Sequence, residues 1–222
     1  LEISLKILIT GFDPFGGEAL NPSWEVAKQL NGKEVKGAQL VVAKLPCVFS
    51  QSLGAIAAAI QLHQPDAVIA LGQADGRSDF SIERVAINVC DARIPDNDGA
   101  QPVDEPVIAQ GPAAFFSTLP VKKIASHLKA QGIPVAISQT AGTFVCNQVF
   151  YGLQHLLCNT KVLSGFVHVP LLPSQAAARS GASMASMSTE TLAQALLCTV
   201  DVLVHHLQGD GLDIKIGMGA NH

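Results

Sequence analysis

Strand-like apolar runs and helical patterns take turns along the whole chain, and that alternation restricts the fold more than any other feature. Short apolar runs stand at 6–9, 39–45, 67–71, 135–138 and 162–169. Helical stretches lie between them: an Ala-rich one at 50–63, one at 121–131, and one at 147–157. In the last, Val149, Phe150, Leu153, Leu156 and Leu157 share one face. Asn21-Pro22 reads as a helix start, an Asn cap with Pro at the first helical position. Ser188 caps a final helix striped by Leu192, Leu196, Val200, Leu203 and Leu207. Such alternation predicts an α/β layered fold, a largely parallel sheet with helices on both faces. Residues 82–89 alternate as one strand, with Glu83, Val85, Ile87 and Val89 on one side. Residues 91–112 are rich in Asp, Pro and Gly and read as a long ordered loop, a feature that is usually functional.

With 48% hydrophobic and 14% charged residues among 222, the chain can bury a large core and is not disordered. Only 5% of residues are aromatic, so Ala, Val, Leu and Ile must build that core. The net charge is −4 and no run of Lys or Arg could track a phosphate backbone, so nucleic acid is not an expected partner. No apolar stretch approaches the roughly 20 residues of a membrane span. Residues 1–10 lack the basic start of a secretory signal, and the expected setting is soluble and cytoplasmic. Five cysteines at 47, 90, 146, 158 and 198 form no CxxC pair or metal-spaced cluster. They read as reduced thiols, most of them small core residues. Residues 1–208 form one expected domain, and 209–222 a Gly-rich tail expected to fray.

In layered α/β folds chemistry collects at the carboxyl ends of strands, which singles out the loops 11–17, 72–79, 140–147 and 169–176. Cys146 falls at the first turn of the 147–157 helix, where unpaired N–H groups favour a thiolate and could hold an oxyanion. The competing reading is a buried thiol under a Gly turn. A thiol nucleophile needs a base, and His168, near the end of the 162–169 run, is the best placed of seven histidines. A lone strand histidine can also be structural. Glu83 sits on an otherwise apolar strand face, so it is either paired for function or engaged with Arg84 or exposed at an edge. Phe12 and Phe15 in the Gly-rich 11–17 loop either cover the core or form an apolar slot for a flat group. That loop lacks the Gly-Lys-Ser/Thr of a phosphate loop.

These segments together resemble the pyroglutamyl peptidase I family of cysteine peptidases over nearly the full length. Thr10-Gly11-Phe12-Asp13-Pro14-Phe15-Gly16-Gly17 with Asn21-Pro22-Ser23 is similar to its N-terminus. The stretch from Glu83 to Asn88 and then Asp91 to Asn97 is similar to its glutamate motif, the stretch from Ser138 to Asn147 to its cysteine motif, and Gly165 to Pro170 to its histidine region. Asp75 and Phe80 depart from the pattern, standing where a small and an aliphatic residue are usual. The resemblance implies Cys146 as nucleophile, His168 as general base and acid, and Glu83 as the orienting carboxylate. It implies Phe12, Phe15 and Phe144 around a lactam ring, together with Gln73, Ile94 and Val145. The implied fold is a three-layer αβα sandwich around a mixed, largely parallel twisted sheet. The implied substrates are peptides with an N-terminal pyroglutamyl residue. Members are commonly homodimers or homotetramers, and no metal or cofactor is implied.

The chemistry agrees with that implication. A 5-oxoproline residue has no charged amine for a carboxylate to hold, so a neutral flat lactam calls for an aromatic slot and a few hydrogen bonds. Two rivals stand beside it: another thiol-dependent hydrolase of small amides or lactams, and a non-catalytic binder of planar heterocycles on a nucleoside-phosphorylase-like scaffold.

Overall fold

The computed structural model describes residues 5–180, 184–209 and 212–219. In chain order the strands are β1 (Lys6–Phe12), β2 (Glu34–Val35), β3 (Ala38–Leu45), β4 (Ala67–Gln73), β5 (Phe80–Glu83), β6 (Val85–Ile87), β7 (Ala114–Phe116), β8 (Val135–Ser138) and β9 (Leu163–Val169). The helices are α1 (Pro22–Ala27), α2 (Phe49–His63), α3 (Val121–Ala130), α4 (Val145–Leu157), α5 (Pro173–Ala178) and α6 (Thr189–Gln208). Asn21 caps α1 through its side chain and Ser188 caps α6, both as the sequence predicts.

Seven strands form one sheet in the order β2-β3-β1-β4-β9-β5-β8. Strands β3, β1, β4 and β9 run parallel, β5 is antiparallel to β9, and β8 is parallel to β5. The fold is therefore α/β with a mixed, mostly parallel sheet between two helical layers. Period-two alternation sorts the strand residues between two cores. Ile7, Ile9, Ile69, Leu71, Ile82, Val167 and Val169 pack with α1, α3 and α6. Leu8, Val68, Ala70 and Phe166 face the other way, onto α2 and α4.

The expected single strand over 82–89 is two. The chain leaves the main sheet at Arg84, whose N–H donates to Ser138 O while its carbonyl accepts from Ser117 N–H. Beyond it β6 pairs with β7 in a separate two-stranded sheet. Alternation looks the same whether or not the chain changes partners, so the break was invisible in the pattern. Between β6 and β7 the long loop is pinned by its own polar side chains. The Asp96 carboxylate accepts from Phe49 N at the start of α2 and from Asp98 N and Ala100 N of its own turn, at 2.7, 2.9 and 2.8 Å. Asn88 bonds Ile108 N–H and C=O across the same loop.

Residues 212–219 carry no helix or strand but make contacts with α3. Asp213 accepts from Lys122 N and Lys123 N, capping α3, and Lys122 Nζ donates to Ile216 O. Residues 210, 211 and 220–222, also within the expected frayed tail, lie outside the described residues, as do residues 1–4.

Candidate active site

Strand register brings the thiol, imidazole and carboxylate together. Gly72 of β4 pairs with His168 of β9, and His168 pairs with Ser81 of β5. Gly72 and His168 stand two residues from Ala70 and Phe166, which pack on the face that carries α4, and Glu83 stands one residue from Ile82, which packs on the other face, so all three positions belong to the α4 side. The absence of a side chain at Gly72 makes room for the Cys146 thiol: a Cβ there would lie 2.8 Å from Cys146 Sγ and 2.8 Å from Phe166 Cζ. Cys146 thus rests over the β4 position in register with His168.

His168 Nδ1 is 2.7 Å from Glu83 Oε1. An ionised carboxylate only accepts, so the Nδ1 side of the ring donates to Glu83 and Nε2 is the ring nitrogen not engaged by it. The ring also packs on Phe166, with centroids 4.9 Å apart. Glu83 is fully buried and lies on β5, inside the sheet and not at its edge. Its charged partner is Arg77, whose Nη1 donates to Glu83 Oε1 at 2.8 Å, and not the Arg84 considered from sequence. Arg77 Nη2 donates to Thr140 O at 2.9 Å. No sequence signal pointed to Arg77, because its partners lie six and 63 residues away.

Cys146 is the second residue of α4, and no side chain caps that helix, leaving first-turn N–H groups available. Burial is the main influence on its thiol and pushes it well above the usual range. Cys47 and Glu83 push the same way, whereas Arg77 and a backbone N–H pull it down. The balance of these influences favours the protonated thiol. Of the other cysteines, Cys47 and Cys90 are buried, and burial pushes their thiols up to about 12 and about 11. Cys158 is exposed and Cys198 half-buried, so two of the five thiols are core residues where most were expected to be.

Because β8 runs opposite to β9, the carboxyl ends of these two strands face opposite edges of the sheet. The expectation that the Cys146 loop opens at the same strand-end edge as His168 therefore fails. The 139–144 loop steps back over the sheet face to deliver α4. It is held by Thr143 Oγ1 donating to Asp91 O at 2.7 Å and by the Arg77 bond to Thr140.

A cleft of about 780 Å³ opens beside this group. Phe15, Phe144, Gln73 and Ile94 line it, joined by Asp75, Asp91, Arg93, Gly142 and Thr143. Phe15 and Phe144 have ring centroids 6.0 Å apart, and Phe49 meets Phe144 edge-on at 5.2 Å. Phe12 and Val145 lie elsewhere. Phe12 ends β1 instead of standing on the loop, is 1% exposed, and packs on Phe166; Val145 is wholly buried in the same core. Asp91 and Arg93 are cleft residues that the sequence reading left out, although the unusual length of their loop marked the region. Of the four loops singled out, three supply cleft walls. The fourth acts from behind: Gln175 donates weakly to Gln73 Oε1, and Arg179, just after α5, bonds Asp75 at 3.0 Å. Asp75 in turn accepts from Gln73 Nε2 at 2.8 Å, a use for the residue that departs from the expected pattern.

A thiol at a helix start, an imidazole with a free Nε2 and a buried carboxylate behind it make the arrangement of a thiol hydrolase on an α/β scaffold. Comparison with known proteins narrows this. The sequence profile described as pyroglutamyl peptidase matches residues 5–206. The pyrrolidone-carboxylate peptidase of Klebsiella pneumoniae (strain 342) is 54% identical over 217 residues, covering 97% of this chain and 99% of the relative. That of Erwinia tasmaniensis is 50% identical, covering 98% and 99%. Among solved structures, pyroglutamyl peptidase I from Bacillus amyloliquefaciens superposes with a TM-score of 0.90 at 45% identity, covering 97% of this chain and all of that one. Pyrrolidone carboxyl peptidase from Thermococcus litoralis gives 0.92 at 38%, covering 96% and 99%. The chain belongs to the pyroglutamyl peptidase family of cysteine peptidases.

Proposed function

We propose that Cys146, His168 and Glu83 carry out the family reaction, removal of an N-terminal pyroglutamyl residue from peptides, with residues 1–208 as the catalytic domain. One observation carries this assignment: the 2.7 Å contact from Glu83 to His168, in register with the glycine on which Cys146 rests. Cys146 Sγ attacks the acyl carbon of the 5-oxoprolyl amide while His168 Nε2 takes the thiol proton. The first-turn N–H groups of α4 face the developing oxyanion. Collapse breaks the C–N bond, and His168 returns the proton to the leaving amine. Water, deprotonated by His168, then cleaves the thioester, releasing pyroglutamate and restoring the thiol.

Phe15 and Phe144 form the apolar slot for the lactam, with Gln73 and Ile94 as further walls, while Phe12 and Val145 support it from beneath. A slot of this kind favours a neutral ring over a protonated proline. Hydrolysis of pyroglutamyl and prolyl anilides by wild type, Cys146→Ala and Cys146→Ser tests the reading. The wild type cleaves the pyroglutamyl substrate, prefers it strongly, and both variants lose turnover while keeping their circular dichroism. A variant within about tenfold of wild type, roughly 1.4 kcal/mol of barrier, overturns the nucleophile assignment.

We further propose a cytoplasmic homo-oligomer, dimer or tetramer. No described helix is long and apolar enough to cross a membrane.

A further inference from the structure

We infer that Arg77 is a positioning residue that ties the orienting carboxylate to the loop carrying the nucleophile. The inference rests on the assignment of Cys146, His168 and Glu83 above. Arg77 lies in the loop between β4 and β5, and its side chain is 27% exposed. Its two terminal nitrogens do different work. Nη1 donates to the same Glu83 oxygen that accepts from His168 Nδ1, and Nη2 donates to Thr140 O.

Three consequences follow from that geometry. A fully buried carboxylate is costly unless paired, and a neutral imidazole alone does not compensate its charge; Arg77 does. Glu83 Oε2 has no hydrogen-bond partner among the described residues, so Oε1 takes both contacts, and its position fixes the His168 ring. The planar guanidinium fork then couples that oxygen to the backbone of the 139–144 loop, six residues before Cys146. A lysine, as a single point charge, could neutralise Glu83 but could not span both acceptors.

The side chains that shift the Cys146 thiol are Cys47 from the segment before α2, Glu83 from β5, and Arg77, beside a backbone N–H, while His168 from β9 is the proton acceptor in the proposed reaction. Arg77 is the cation among these, and it favours the thiolate. Removing it exposes the thiol to Glu83 without that offset.

Arg77→Gln and Arg77→Lys are to be compared with wild type for kcat and KM on a pyroglutamyl anilide, for melting temperature, and for the pH profile of inactivation by iodoacetamide. In Arg77→Gln, kcat falls between about 10- and about 100-fold while KM changes by less than about threefold, and inactivation moves to higher pH. Arg77→Lys restores the inactivation profile but only part of kcat. A folded Arg77→Gln with kcat within about threefold of wild type, or with an unmoved or lowered inactivation profile, overturns the inference and leaves Arg77 a packing residue. Should the Gln variant not fold, the Lys variant decides: wild-type kcat there overturns the bridge. If the wild type itself fails on the pyroglutamyl substrate, the functional reading falls, while the inactivation profiles still test Arg77.

Discussion

Cys146, His168 and Glu83 could each be singled out from sequence because each is an odd residue in its setting. One is a thiol at a helix start, one a histidine ending an apolar strand, and one a carboxylate on a buried face. Gly72 could not, since its importance lies in what stands opposite it. An added methyl there would come within 2.8 Å of Cys146 Sγ, closer than packed atoms approach, and on its other side it would meet the Phe166 ring. Gly72→Ala therefore displaces the sulfur, the ring or both. Misplacing a nucleophile by a fraction of an ångström is enough to cost reactivity. The expected result is a kcat lower by about tenfold or more with the fold retained, measured by steady-state kinetics beside a thermal melt. Wild-type kcat in a folded Gly72→Ala would show that the sulfur has room to spare.

Most helices and strands are legible as elements because hydrophobic periodicity is local. Val135–Ser138 agrees with the predicted run to the residue, and α6 begins directly after its predicted cap. Pairing is not local, and there the reading fell short. Nothing in residues 135–138 tells that β8 runs opposite to β9, and nothing in 82–89 tells that the chain changes sheets at Arg84. The three-residue β7 and the six-residue α5 are too short for a periodic signal. The long loop was recognisable by composition, but its order depends on Asp96, which accepts from three backbone N–H groups, one of them at the start of α2. Asp96→Ala strands those donors and frees the segment that carries Arg93 and Ile94 into the cleft. It should lower stability by about 1–3 kcal/mol in chemical denaturation and raise KM more than it lowers kcat. An unchanged KM would mean that the loop keeps its place by other bonds.

Over the whole molecule, the central relation is between two layers: the strands set the level of His168 and Glu83, and α4 brings Cys146 down onto them. The tail serves the opposite layer, with Asp213 capping α3 on the far side of the sheet from the thiol. The proposed oligomer belongs to this scale. Sedimentation velocity should find a dimer or tetramer at micromolar concentration, and a purely monomeric protein would contradict it. The family was legible because four separate motifs occur in order, whereas Arg77 and Gly72 required three-dimensional proximity. The claim on which everything else depends is that Cys146 carries the acyl group. Mixing the enzyme with a pyroglutamyl ester, quenching in acid during turnover and mapping the digest by mass spectrometry tests it directly. One 5-oxoprolyl group should appear on the peptide that contains Cys146, and nowhere else. An adduct on another residue, or turnover with no adduct in wild type and undiminished turnover in Cys146→Ser, would contradict the account.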